Sequence, residues 1–308
     1  MSNGPPMREL ASELGFPEGP VWLPDGSVLL VEIQAGLVTR VSPDGGKAIV
    51  ARPGGGPNGA ALGPDGKLYV AIGDDVTPAH QVGGLTIPGH QAHDYSGGRI
   101  ERIDLATGAV ERVYERCGEH SLRGPNDLVF DGTGGFWFTD HGKIRERDRD
   151  RGGLYWARAD GSEIREVVYP LAAPNGVGLS PDGGRVYVAE TFTGRVWWWE
   201  VTGPGTLRPA PDLLGHGGAL LAGLPGLQLL DSLAVDAEGF VCVATIGNGG
   251  ITPISPHGAP IDHGPRPDPP VTNASLGGPD LRTAIATLSG TGRLVAFEWP
   301  RAGLPLAG

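Results

Sequence analysis

Six times along the chain a short apolar strand is followed by a turn at or beside Asp-Gly and then by a second apolar strand. The copies read PEGPVWLPDGSVLLVE from Pro17, PNGAALGPDGKLYVAI from Pro57, PNDLVFDGTGGFWFTD from Pro125 and PNGVGLSPDGGRVYVAE from Pro174. Two more follow, LDSLAVDAEGFVCVAT from Leu230 and TNASLGGPDLRTAIAT from Thr272. A strand-only repeat of about 40–50 residues marks a propeller with one blade per copy. The expected fold is therefore all-β: a six-bladed β-propeller, with residues 1–308 as a single domain. The last copy has three clear strands, at 272–276, 283–288 and 293–299, so the segment around Met7–Ala11 is expected to add the fourth. Such an N-terminal strand would close the ring and remove an exposed sheet edge.

The 53 Gly and 29 Pro suit a chain of many tight turns. A net charge of −11 with no basic stripe argues against nucleic acid as a partner. No stretch approaches the roughly 18 apolar residues of a membrane span, and Met1–Ala11 carries no signal-peptide core, so a cytoplasmic protein is expected. Cys117 and Cys242 lie in different repeats without motif spacing and read as small packing residues.

Aligning the copies on their turns places Glu18, Asn58, Asn126, Asn175, Asp231 and Asn273 in one column. The first strand of each blade lines a propeller's central channel, so one column becomes one ring around the axis. Two carboxylates and four amides, without thiol or imidazole, form a hard oxygen-donor site that suits Ca²⁺ better than Zn²⁺ or Cu²⁺. Mg²⁺, Mn²⁺, Zn²⁺ or Fe²⁺ are the other candidates for the one expected divalent cation. Each Asn or Asp alone reads equally well as a turn former. The shared register, and the cost of two unneutralised carboxylates in one channel, favour the cation. Asn58 and Asn273 are the members expected to hold water or orient a substrate. The far ends of the second strands (Glu32, Asp74-Asp75, Asp140-His141, Glu190-Thr191, Thr245, Ser289) should face the same site. Three long segments on that face should shape its pocket: 74–97 with His80, His90 and His93, then 140–152, then 212–229.

The residues FPEGPVW from Phe16, GPNDLVFD from Gly124, FTD from Phe138 and PNGVGLSPD from Pro174 resemble the senescence-marker-protein/gluconolactonase family of six-bladed propellers. YVAET from Tyr187, DSLAVDAEG from Asp231, Thr272-Asn273 and GGPDLRT from Gly277 extend the resemblance over nearly the whole chain. The family is related to calcium-dependent diisopropylfluorophosphatases. The resemblance implies metal ligands at Glu18, Asn126, Asn175 and Asp231, with Asn126 nearest the substrate and Asp231 as general base or nucleophile. One departure is His141-Gly142-Lys143, where gluconolactonase-like members often carry Pro and Tyr-Gly.

The expected reaction is ring opening of a lactone, a sugar or aldonic-acid lactone first, by a monomer or weak homo-oligomer. The cation would polarise the carbonyl and Asp231 would take a proton from water or attack directly. Asn126 would orient the carbonyl, Arg123 or His141 would bind hydroxyls or the product carboxylate, and His141 reads otherwise as a surface histidine. No G-x-S-x-G or H-E-x-x-H occurs, so serine-hydrolase and zincin chemistry are poor readings. The rivals are a phosphotriesterase on the same site, a metal-free synthase of the strictosidine type and a non-enzymatic binding scaffold.

Overall fold

The computed structural model describes residues 6–73, 80–211, 214–260 and 263–305. Asp74 and Asp75 lie outside the described residues. Six sheets of at least four strands follow one another in chain order. Blade one is Pro17–Trp22, Val28–Glu32, Leu37–Val41 and Lys47–Ala51. Blade two is Pro57–Leu62, Leu68–Ile72, Arg99–Ile103 and Val110–Tyr114. Blade three is Pro125–Phe130, Gly135–Asp140, Gly152–Arg158 and Ile164–Leu171. Blade four runs Pro174–Leu179, Arg185–Glu190 and Arg195–Gly203, with Thr206–Arg208 and Ala219–Gly223 sharing its outer edge. Blade five is Leu230–Val235, Val241–Thr245, Gly250–Ile254 and the short Gly264–Pro265.

The sixth sheet is Val271–Gly277, Thr283–Leu288 and Arg293–Glu298, with Arg8–Ala11 outermost. Arg8 lies opposite Ala296 and Glu9 opposite Val295, so the first strand of the chain pairs with the last.

Alternation along the second strands explains why blades stack. Leu29 and Val31 pack towards blade two with Leu68 and Val70, while Val28 and Leu30 pack towards Ile285 and Leu294 of blade six. Period-two side chains on a sheet covered on both faces are all apolar, which is why these strands read as continuous hydrophobic runs. The same arrangement gives one apolar cluster between each pair of adjacent blades. Trp197 and Trp199 face blade three and Trp198 faces blade five, so the tryptophan run covers both faces of its sheet. Cys242 is buried, Cys117 is half-buried, and both are free thiols. No described helix is long and apolar enough to cross a membrane.

Every inner strand carries a bulge near its start. In blade three Pro125 pairs with Asp140 but Leu128 pairs with Phe138, three steps against two. The other five inner strands show the same one-residue surplus. The bulge bends each strand where it meets the channel. It also brings neighbouring inner strands close: a Cβ on Gly59 would sit 2.4 Å from the Asn126 carbonyl oxygen, and one on Gly176 2.5 Å from the Leu233 nitrogen. Only glycine fits such an approach of backbone to backbone.

Candidate active site

The ring column survives folding, but its members do different jobs. Glu18, Asn126, Asn175, Asp231 and Asn273 are buried at the top of the channel, and Asn58 is half-buried. The Asn273 amide donates to Glu18 Oε2 at 3.0 Å and so helps to hold that carboxylate. The Asn175 amide nitrogen donates to Thr191 Oγ1 at 3.3 Å, while its carbonyl oxygen, Oδ1, is buried without a hydrogen-bond partner.

Electrostatics single out the two acids. Burial raises the Glu18 carboxyl to about 7, against the stabilising bonds from Thr272, Asn273 and the Gly19 N–H. Burial likewise pushes Asp231 well above the usual carboxylate range, and the neighbouring Glu18 charge pushes it further despite a bond to Asn175. The Glu18 charge thus acts on Asp231, and the carboxylates of blades one and five repel. Among the described residues no three of His, Cys, Asp and Glu gather into a metal-binding group. The donor set here is two carboxylates plus amide oxygens, with one amide acceptor orphaned. Paired buried acids and an unpartnered carbonyl are the donors a hard divalent cation takes, so the residues present fit one.

The raised acids have a consequence for stability. A carboxylate whose folded pKa lies above its unfolded value binds more protons when folded, so stability falls as pH rises through that window. Carboxylates with lowered values, such as Asp25, Asp44 and Asp182, act only at lower pH. In chelator, the melting temperature is expected to decline between about pH 5 and pH 8, with Glu18 alone contributing on the order of 3 kcal/mol. Thermal scans across that range read it directly, and a flat or rising curve would contradict the buried pair.

Asp127 was not among the residues expected from the sequence. In a regular strand it would point away from the channel, opposite to Asn126. The bulge keeps both near the axis, and Asp127 accepts hydrogen bonds from the Ser232 hydroxyl and from the Leu128 and Val177 N–H groups. It thereby ties together the inner strands that carry Asn126, Asn175 and Asp231. The only available signal was its place in the GPND step.

The ends of the second strands depart from expectation. Glu32 accepts the Gly15 N–H at 2.6 Å, Asp140 those of Arg123 and Gly124 at 2.7 Å each, and Glu190 that of Ala172 at 2.6 Å. Each acid clasps the loop leading into its own blade's inner strand. The proline that starts that strand has no N–H to offer, so the bond moves upstream. These carboxylates share the site's face of the molecule but are engaged by backbone donors, and Glu32 and Glu190 by the side chains of Thr39, Thr193 and Trp197 as well.

Arg123 is exposed beside Asn126, and the Tyr95 hydroxyl holds its carbonyl at 2.7 Å. His141 is half-buried rather than a surface side chain. Desolvation pulls its pKa down to about 4, with Lys143 and Arg149 adding repulsion, so its imidazole is neutral at pH 7. His80, His90 and His93 are exposed and join no metal-binding group among the described residues. A cavity of about 540 Å³ lies on the opposite, turn-bearing side of the ring, lined by Val21, Leu128, Val177, Leu233 and Leu276. The void forms below the bulges, where small residues such as Ala60, Gly178 and Ala274 line the channel. Apolar side chains dominate its walls, and Asp127, Ser232 and Asn273 also line it.

A family model described as the SMP-30/Gluconolactonase/LRE-like region matches residues 16–290. This chain belongs to the SMP-30/gluconolactonase/LRE-like family. Among the family's curated members, a gluconolactonase of Zymomonas mobilis is 27% identical over 284 residues, covering 82% of this chain and 70% of that protein. The lactonase drp35 of Staphylococcus haemolyticus is 28% identical over 247 residues, covering 79% and 67%. Among solved structures, a gluconolactonase of Xanthomonas campestris superposes with a TM-score of 0.74 at 21% identity, covering 96% of this chain and 89% of that one. Regucalcin of Agrobacterium tumefaciens, described as calcium-binding, gives 0.73 at 19% identity, covering 96% and 94%. At those identities the structural likeness speaks for the propeller fold of the SMP-30/gluconolactonase/LRE-like family.

Proposed function

We propose that this protein is a lactonase whose site is the ring of Glu18, Asn126, Asn175 and Asp231 around a divalent cation, Ca²⁺ first. The observation that carries the reading is the buried, mutually repelling Glu18–Asp231 pair together with the orphaned Asn175 oxygen. The relatives named gluconolactonase and lactonase support the substrate class. When bound, the cation supplies a Lewis acid for the lactone carbonyl and offsets the charge of the two acids.

The remaining steps belong to the chain. Asn126 orients the carbonyl with its amide, and Asn58 holds the far side of the ring or its water. Asp231 in its carboxylate form takes a proton as a water oxygen bonds to the carbonyl carbon. The ring C–O bond then breaks, and the departing oxygen receives that proton from Asp231. The product is a hydroxy acid, and Asp231 is again a carboxylate. Arg123, exposed at the rim, pairs with the new carboxylate. His141 stays neutral throughout and contributes hydrogen bonding or contact rather than a proton.

The test is a panel of lactones and phosphotriesters assayed side by side on protein loaded with Ca²⁺. Lactone turnover with phosphotriesters at least about a hundredfold slower is expected, because a site aimed at a planar carbonyl stabilises a different transition state from one at phosphorus. The reverse order would move the assignment to a phosphotriesterase. Turnover of neither would leave a binding scaffold.

A further inference from the structure

Above the ring, blades three and four present apolar surface that the hydrolytic step does not use. Phe192 follows Thr191, the residue whose hydroxyl accepts the Asn175 amide, yet it is 40% exposed. Its ring meets the His141 imidazole edge-on at 6.0 Å, and the Arg149 guanidinium lies over it at 4.8 Å. His141 follows Asp140, the ladder partner of Pro125, and its backbone N–H donates to the Gly124 carbonyl. Phe192 and His141 therefore bridge the two blades that carry Asn126 and Asn175.

A second apolar side chain stands nearby. The Leu224 N–H donates to the Gly194 carbonyl, which ties the segment after it to the loop that bears Phe192. Three residues on, Leu227 is 71% exposed beside Gly247, and the chain then runs through Leu230 into Asp231. Exposed Phe192 and Leu227 thus stand on the segments that follow Thr191, the partner of Asn175, and that lead into Asp231.

Such a wall discriminates among lactones. The side chains of Phe192 and Leu227 offer no donor or acceptor, and the neutral His141 ring turns an aromatic contact towards Phe192. Hydroxyls placed against them would lose water without replacement, whereas an alkyl or aryl group would gain burial. The Arg149 guanidinium packs on one face of the Phe192 ring. We infer that the substrate is a lactone bearing an apolar substituent, which lies on Phe192 and Leu227, rather than a polyhydroxylated sugar lactone. The inference rests on the lactonase reading and narrows its substrate class.

The experiment compares δ-nonalactone, which carries a butyl tail, with the bare ring of δ-valerolactone and with glucono-δ-lactone. Full burial contributes about fourfold per methylene, so a four-carbon tail on a one-sided wall should raise kcat/KM about tenfold over δ-valerolactone, mostly through KM. Phe192→Ser and Leu227→Ser should each reduce that ratio several-fold, while δ-valerolactone changes by about threefold or less. Both side chains are exposed, so neither variant should disturb folding, and unchanged melting temperatures check this. A wild-type ratio near one, a preference for glucono-δ-lactone over both other rings, or a ratio unmoved in both variants would overturn the apolar substituent. If no lactone were turned over at all, the lactonase reading would fall and take this inference with it. Turnover of bare and tailed rings alike would remove only the substrate class.

Discussion

Replacing Asp231 with asparagine is expected to abolish lactone hydrolysis while making the metal-free protein more stable. The activity loss should be about a thousandfold or more, since the variant keeps the shape of the site but cannot accept the proton from water. The stability gain has a separate origin. Asp231 is forced into the channel against its own desolvation and against the Glu18 charge. An amide there ends the repulsion from Glu18. Relief on the order of 2 kcal/mol, or a rise in melting temperature of roughly 3 °C for a chain this long, is expected in chelator. Kinetics and thermal scans on one preparation read both effects. Retained turnover would put the base elsewhere, and a lowered melting temperature would show that the carboxylate was not under strain.

Exhaustive chelation should lower lactone turnover by at least about a hundredfold, with Ca²⁺ restoring it, if the cation supplies the carbonyl's activation. Restored cation should also stabilise the fold. At a hundred times its Kd a ligand specific for the folded state adds about 2.7 kcal/mol, or roughly 4 °C for this chain. The shift should be larger at pH 8 than at pH 6, because the raised acids must give up protons to bind metal. Calorimetry in buffers of different ionisation enthalpy would register those protons. In Glu18→Gln the Ca²⁺ effect on melting should largely vanish. Undiminished turnover after chelation would remove the cation from the reaction.

Much of this architecture was legible because a propeller writes its symmetry into the chain. Six copies in one register put Glu18, Asn126, Asn175 and Asp231 in one column, and one column can only become one ring. The missing fourth strand of the last repeat was likewise visible as a deficit, which Arg8–Ala11 fills beside Arg293–Glu298. Blade five was harder to read, because prolines and glycines break the alternation around Gly250–Ile254 and leave its outer strand only two residues long.

The sequence by itself determined the repeat and the blades, since strand periodicity and turn chemistry are local properties. Only the tertiary structure decided where those side chains point. The bulges turned Asp127 from an outward residue into a tie between three strands, and Asn273 into a partner of Glu18. Prolines without N–H groups drew Glu32, Asp140 and Glu190 onto the backbone upstream. Phe192 and His141, far apart in the chain, became one wall through the packing of two blades. Direction, burial and mutual repulsion depend on neighbours that no local pattern contains, and in this protein those neighbours are supplied by the adjacent blade.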